Sequence, residues 1–314
     1  MLTIPATFFE EENRNNFYIS AVVKRAWANE LELFSEILEV ADKHNIQVWL
    51  DYGSLLGAVR HGGFIPWDDD LDISVMRKDF IPLLKYLQEE LPPYRSVESI
   101  YTMQNYIRPK AVVLNRKSLD IGNDPEARKI TDINFNFPCR AWVDIFPMDY
   151  IPKDTEQLVE IKTIYSLAYG LASEMEVFIE TGTFEDYLSQ LEKYSGIKIK
   201  RDENIRHSLW IFCDSISGKT KKHEANGVLC YQDLALLGPS KHRPLSAFKD
   251  TILVPFEMIT APVPIGYDEI LTLTYGNRYL TPQKGTSAHL YPFFKDHEKL
   301  ILSHSRIGQL GDIF

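Results

Sequence analysis

Asp70-Leu-Asp72-Ile places two carboxylates at i and i+2 in a stretch whose alternation, from Asp70 to Val75, predicts a β-strand. Side chains two apart on a strand share a face, and Asp68 joins that face if the strand begins early. Like charges crowded together repel unless a cation lies among them. Carboxylate oxygen suits Mg²⁺ or Mn²⁺ rather than zinc, and Mg²⁺ is usually held by one or two carboxylates and completed by phosphate oxygens and water. A solvated acidic edge and a Ca²⁺ loop are the competing explanations. Against them, Leu71, Ile73 and Val75 imply a buried opposite face, and the sixth-position glycine of an EF-hand is missing.

Gly53-Ser54 supplies the complementary half. It follows an alternating strand pattern, Ile46 to Leu50, and precedes a short helical stretch. Free amides at a helix N-terminus, with no Cβ at Gly53, can take a phosphate. Gly-Ser followed by Asp-x-Asp on the next strand resembles the nucleotidyltransferase superfamily, in which the turn holds phosphates and the acids hold metal. Arg60 and His61, just before Gly62-Gly63, are candidates to clamp donor phosphates, and Arg108 and Lys110 to reach the diphosphate from a neighbouring strand. His289 follows Gly285-Thr-Ser near the end of the chain, with its role open.

The longer blocks Tyr52-Gly-Ser-Leu-Leu-Gly-Ala-Val-Arg-His61 and Gly63-Phe-Ile-Pro-Trp-Asp-Asp-Asp-Leu-Asp-Ile73 resemble the LicD family. That family comprises bacterial phosphocholine transferases and relatives, distantly akin to the fukutin-related ribitol-phosphate transferases. Shorter matches continue at Val143 to Asp149, Pro255-Phe-Glu257, Tyr267 to Leu271, Tyr275-Gly276 and Pro282. The resemblance implies metal-dependent transfer of phosphocholine, or a related phospho-alkyl group, from a CDP-linked donor such as CDP-choline. The acceptor would be a hydroxyl of a cell-surface glycan or teichoic acid precursor, and CMP would leave. Asp70 and Asp72 become metal ligands, with Asp68 a third by match to the family's acidic triplet, while Asp69 points the other way as a structural acid. Asp144 matches the superfamily's third carboxylate, as metal ligand or general base; alternatively it caps the Phe146-Pro147 turn. Asp149 and Glu257 are equally open to functional and structural roles. Trp49, Tyr52, Trp67, Trp142 and Tyr150 are candidate aromatics for a choline cage, though with 12% aromatic residues most are expected in the core.

Two other readings stand beside this one. A nucleotidyltransferase acting on an NTP would release pyrophosphate instead of CMP. A nucleotide-binding module with a retired site would have no turnover, but the intact Gly53, Ser54, Asp70, Asp72 and Asp144 set speaks against it.

The elements that must position these residues suggest an α+β fold: a nucleotidyltransferase-like mixed sheet flanked by helices, with a helical second lobe. Trp27, Leu31, Phe34, Leu38 and Ala41 form one stripe, with Glu30, Glu32, Glu36, Glu39 and Asp42 mostly opposite, predicting an amphipathic helix over 25–45. A helix over 79–91 stops at Pro92-Pro93, and strands are expected near Ala111–Leu114 and Ala141–Phe146. Residues 154–195 read as mainly helical, 195–206 and 217–227 as loops, and the chain beyond 245 as loop-rich until a helix from Tyr267 to Tyr275. This gives a catalytic core in 1–150, a helical lobe on the acceptor side in 151–240, and a segment, 241–314, returning to the core.

The 314 residues carry 34 Lys and Arg against 44 Asp and Glu, a net charge of −10. That balance argues against broad nucleic-acid binding, so substrate phosphate must be met by metal or by a few placed cations. Cys139, Cys213 and Cys230 form no C-x-x-C pair, which fits a reducing compartment without disulfides or structural zinc. With neither a secretory signal nor a spanning segment in the sequence, the expectation is a cytoplasmic protein, working at the inner face of the membrane if its acceptor is lipid-linked. Lys198, Lys200, Arg201 and Arg206, and Lys219, Lys221 and Lys222, are either a peripheral contact to anionic lipid or solvated loops.

Overall fold

The computed structural model describes residues 2–237, 242–283 and 291–303; His289 lies outside them. A short hairpin, β1 (Glu12–Arg14) and β2 (Phe17–Ile19), leads into α1 (Ala21–Lys43), whose Ser20 side chain accepts from the Val23 amide. Trp27, Leu31 and Phe34 are fully buried in the main core. The polar side of this helix departs from a simple amphipathic pattern, because Glu30 and Glu32 are buried as well, at 1% and 4% exposure. The first half of α1 is enclosed, and several of its polar groups are met locally. Glu32 accepts from the Leu2 amide at 2.6 Å, Lys24 pairs with Glu12 at 2.6 Å, and Arg25 donates to the Phe135 carbonyl at 2.7 Å.

After β3 (Val48–Leu50) the chain forms α2 (Tyr52–His61), β4 (Leu71–Met76), α3 (Arg77–Glu90), β5 (Ser96–Glu98), β6 (Ala111–Leu114), α4 (Pro125–Ile133) and the long β7 (Trp142–Pro152). Gly53 and Ser54 therefore lie inside the first turn of α2 rather than in a turn before it. One mixed sheet runs β3-β4-β7-β6-β5. Only β4 and β7 are parallel; their register sets Leu71 beside Val143 and Asp72 beside Asp144. Leu71, Ile73 and Val75 are fully buried against the helical layer, as the alternation requires.

The helices α5 (Thr155–Ser173), α6 (Met175–Glu180), α7 (Phe184–Ser195), α8 (Ile205–Ser217) and α9 (Tyr231–Leu237) surround a second hydrophobic cluster that includes Tyr165, Leu188, Leu209 and Trp210. Where a loop is expected at 217–227, the chain instead enters β8 (Ala225–Leu229), which pairs antiparallel with the far end of β7. Its short Ala-Asn-Gly-Val-Leu sequence has little strand character of its own, and the exposed edge of β7 provides it. The basic residues leading into α8 are paired with acids nearby: Lys198 with Glu192 at 2.8 Å, Lys200 with Asp202 at 2.7 Å, Arg201 with Glu192 and Glu185, and, in the first turn of α8, Arg206 with Glu176 at 2.5 Å.

The loop expected beyond residue 245 contains a hairpin, β9 (Thr251–Phe256) and β10 (Ile259–Pro264). Pro255, Pro262 and Pro264 concealed it, yet a two-stranded ribbon has outward edges where a missing N–H costs nothing. Phe256, Ala261 and Val263 join the main core, followed by α10 (Tyr267–Tyr275) and a short α11 (Glu298–Leu302). Among the described residues no helix is long and apolar enough to cross a membrane. Cys139, Cys213 and Cys230 are all free and buried.

Candidate active site

Helix α2 starts on Asp51, whose side chain accepts from the Tyr52 amide at 2.7 Å, while Leu55 N–H returns to the Asp51 carbonyl. The remaining first-turn amides, at Gly53 and Ser54, have no acceptor within the helix, as at any helix start. An acid at this cap would repel a phosphate, but Asp51 is spent on Arg243 at 2.7 Å, the two side chains being 1% and 4% exposed. Tyr52 has a left-handed backbone, φ +43°, unusual for a bulky residue. Its hydroxyl donates to Asp233 at 2.6 Å, and Arg243 lies over its ring at 5.3 Å, which holds the strained turn in place. The Ser54 hydroxyl accepts from the Asp72 amide at 2.9 Å, tying the first turn of α2 to the acidic strand.

The carboxylates meet across β4 and β7. Asp72 and Asp144 are register partners with 8% and 3% exposure, a like-charged pair buried at strand spacing. Burial, then Asp70 and Asp144, push the Asp72 carboxyl well above its ordinary range; Lys110 opposes them and Asp68 adds a smaller push. Burial also raises Asp144, against the pull of Lys110, whose ammonium stands 2.5 Å from Asp144 Oδ2. Asp144 Oδ1 is buried with no partner. Among the described residues no three His, Cys, Asp or Glu side chains are gathered closely enough to form a metal cage. A cluster that raises its own members and leaves one carboxylate oxygen unmet nevertheless fits a hard divalent cation that takes a few carboxylates and finishes its shell on phosphate.

Beside the acids, on the α2 side, lies a cavity of about 750 Å³ lined by Gly53, Arg60, Trp67, Asp68, Tyr275 and Arg278 among others. A methyl group at Gly53 would stand 2.5 Å from Asp68 Oδ2. Gly53→Ala is therefore expected to fold normally, since helices favour Ala, while donor turnover falls by at least ~10-fold because the turn and Asp68 must separate. Melting temperature and donor KM measured together check this; an unchanged KM would show that the turn takes no phosphate.

Arg60 lines the cavity and also donates to the Tyr279 carbonyl at 3.0 Å. His61, the other candidate phosphate clamp, lies beside Arg60. It packs edge-on against Trp67, and burial with the charges of Arg60 and Arg14 pushes its pKa down to about 4. Arg60 Nε–H donates to His61 Nδ1 at 3.3 Å, so the neutral ring carries its proton on Nε2. A depressed histidine contributes stability that is full above its ordinary 6.5 and lost as pH falls toward about 4. Screening of this half-buried ring reduces the effect to roughly 1–2 kcal/mol. His61→Gln is expected to flatten the pH dependence of urea unfolding in that window; an unaltered slope would assign the titration elsewhere.

Lys110 sits on the β6 side of the acid pair, with its ammonium 4.7 Å from the Phe146 ring centre, and exposed Arg108 lies at the mouth of a second cavity with it. Asp69 is fully buried and accepts from the Phe293 amide, a structural tie for the C-terminal segment. Asp149 is held by Arg77 at 2.7 and 2.8 Å, and Glu257 by Arg14 at 2.7 Å and the Phe64 amide at 3.1 Å, so both acids are bound into the scaffold. Of the five aromatics considered for a cage, Trp67 lines the cavity. Trp49 instead donates to Thr251 at 2.9 Å, Tyr52 stacks on Arg243, Trp142 packs on Phe293, and Tyr150 lines a separate cavity with Trp49. Tyr275 and Tyr279 supply the other aromatic walls beside Trp67.

The sequence pattern passed over Glu30. Burial and then Asp69, Asp70, Asp68 and Asp72 raise its carboxyl well above the ordinary range, and its Oε2 has no partner. Nothing in a helical Glu spacing separates Glu30 from surface-facing Glu39. Arg278 and Asp51–Arg243 were likewise missed; the match at Tyr275-Gly276 was the one pointer to the wall that holds Arg278.

Residues 45–157 match the family model described as LicD/FKTN/FKRP, nucleotidyltransferase domain. Curated relatives agree over shorter stretches. An uncharacterized protein of Rickettsia prowazekii is 46% identical over 66 residues, 21% of this chain and 23% of its own. The human ribitol 5-phosphate transferase FKRP is 44% identical over 43 residues, 14% of this chain and 9% of its own. The lipopolysaccharide cholinephosphotransferase LicD of Haemophilus influenzae is 42% identical over 52 residues, 17% and 18% respectively. The matched stretches thus span less than a quarter of each of these relatives. The resemblance carried by Tyr52 to Ile73 holds, and the core over 45–157 is of the LicD/FKTN/FKRP type.

Proposed function

We propose that this LicD/FKTN/FKRP-type chain transfers a phospho-alkyl group, with phosphocholine the first donor to test, from a CDP-linked donor to a glycan hydroxyl. The observation that carries the reading is the buried register pair Asp72 and Asp144 beside the Gly53–Asp68 cavity. Apposed buried carboxylates are unfavourable for folding and become favourable only with a cation or a proton between them.

The donor lies in the cavity with its diphosphate on the Gly53 and Ser54 amides, flanked by Arg60 and Arg278. Asp70 and Asp72, with Asp68 drawn in, would hold Mg²⁺ or Mn²⁺, and the ion would supply neutralisation of the diphosphate charge. The acceptor oxygen forms its bond to the distal phosphorus as the bond to CMP breaks. Its proton passes to Asp144 Oδ1, the unpartnered oxygen of a carboxyl already raised by burial. Trp67, Tyr275 and Tyr279 beside Asp68 suit a cationic head group such as choline. The three free cysteines agree with a reaction in the cytoplasm, with any contact to a membrane-borne acceptor peripheral.

Incubation with CDP-choline and Mn²⁺ is expected to release CMP, and Asp70→Ala to abolish it. Release of pyrophosphate from CTP, with CDP-choline inert, would overturn the reading in favour of nucleotidyl transfer. Silence toward both would withdraw the choline assignment.

A further inference from the structure

On the opposite side of the acid pair from the donor cavity, two adjoining cavities of about 260 and 630 Å³ run between the 104–110 segment and helices α5, α6 and α8, sharing Ile107 and Arg206. Strand order fixes the geometry. Gly53 follows β3 and Lys110 precedes β6, and between those strands lie β4 with Asp72 and β7 with Asp144. The carboxylates therefore separate one pocket from the other, the arrangement an in-line displacement needs for donor and nucleophile.

These walls carry an unusual share of unmet hydrogen bonds. Of the 11 buried side-chain polar atoms without partners among the described residues, four lie here: Tyr106 OH, Arg206 Nε, His207 Nδ1 and Trp210 Nε1. Trp210 is 1% exposed, so its indole N–H is deep in the protein and unsatisfied. A donor left unpaired at such depth costs about 1–3 kcal/mol, and a polar ligand would recover it. Arg108 brings positive charge to the smaller cavity, where Lys110 is paired with Asp144 and Arg206 with Glu176 through one end of its guanidinium, its Nε–H staying unpartnered; the crossed rings of Tyr169 and Trp210, 5.4 Å apart, give the cavity an aromatic wall. Donors, cations and aromatic faces together are the surroundings of a sugar that carries an anionic group. Burial and the charge of Asp144 both raise the Tyr106 phenol, which places the cleft within electrostatic reach of the reacting centre.

We propose that this cleft is the acceptor subsite and that it takes a phosphorylated saccharide, its phosphate held by Arg108, Arg206 and the Trp210 N–H. The proposal rests on the transferase reading for its role in turnover, but binding tests it independently of any donor. Isothermal titration of the full chain, without a CDP compound, compares glucose 6-phosphate, glucose and inorganic phosphate. Glucose 6-phosphate is expected to bind at least 10-fold more tightly than either of the others. Trp210→Phe, which keeps the ring and removes the N–H, and Arg108→Gln, an exposed change with little risk to folding, are each expected to weaken it several-fold. Equal binding of glucose and its phosphate would overturn the anionic subsite, and equal binding of inorganic phosphate would overturn the saccharide. Failure of all three ligands while CDP-choline still yields CMP would overturn the subsite and leave the transferase reading standing. Glucose 6-phosphate binding that both variants weaken, with no CMP released from any donor, would support the subsite and remove the transferase reading.

Discussion

Asp72→Asn is expected to lower CMP release by at least ~10²–10³-fold and, in the same protein without metal, to raise the melting temperature. Both effects follow from one observation: Asp72 is 8% exposed and lies in parallel register with Asp144, on strands ~4.8 Å apart. The amide keeps the shape of the side chain, and the backbone link from the Asp72 amide to Ser54 is untouched. What disappears is a buried charge facing Asp70, Asp144 and Asp68. Because the folded carboxyl is raised, the unfolded chain releases this proton first. From the ordinary carboxylate pKa of 3.8 upward, stability therefore falls with rising pH until the folded group ionises too. The asparagine variant removes that slope, and each unit of relieved shift returns ~1.4 kcal/mol, or about 3 °C in a domain of this size. Thermal melts between pH 4 and 8, with and without Mn²⁺, check the sign. The wild type gains stability from the ion, and the variant does not. A variant that melts lower without metal would mean that Asp72 is stabilised by its neighbours, and the cation site would go with it.

The clustering of the acidic strand against the start of α2 was legible because it is encoded over a short range. Asp70, Asp72 and the Gly53-Ser54 pair lie within 20 residues of one another, and a strand–helix–strand unit turns that spacing directly into proximity. Burial of Leu71, Ile73 and Val75 followed from alternation alone. Features that depend on distant partners were not legible. Glu30 reads as the polar face of an amphipathic helix until the acidic segment closes over it. β8 is strand only because the end of β7 offers an edge, and the β9–β10 hairpin is masked by three prolines that an edge ribbon tolerates. Lys198, Lys200, Arg201 and Arg206 read as a basic patch until their acidic partners come from α6, α7 and the chain just before α8. His61 reads as a residue beside two glycines, while its packing on Trp67 and the low pKa that burial and two arginines impose depend on the finished fold. Propensity and spacing report what a residue can do; the low dielectric of the finished site decides its charge.

Arg243→Met is expected to cost about 3–5 kcal/mol, the usual penalty for stranding one member of a buried ion pair. Its partner Asp51 is 1% exposed and caps α2, so the orphaned carboxylate would sit among the amides proposed to take the donor phosphates. Raised stability from the added methionine area cannot compensate, since burying an unpaired charge outweighs the gain from a few methylenes. The same guanidinium lies over the Tyr52 ring, where a left-handed backbone stores roughly 1–3 kcal/mol of strain. Without it Tyr52 is expected to relax, carrying Gly53 and Ser54 with it. The first consequence is a fall in melting temperature on the order of 10 °C. The second is a rise in donor KM in whatever folded fraction remains. Pairing the change with Asp51→Asn separates the two, because the double variant removes the stranded charge and is expected to recover most of the stability while KM stays high, the stack on Tyr52 still being absent. If the double variant melted as low as the single one, the loss would lie in packing around Arg243 and not in the charge of Asp51. If it regained the wild-type KM as well, the Tyr52 stack would play no part in holding the phosphate turn.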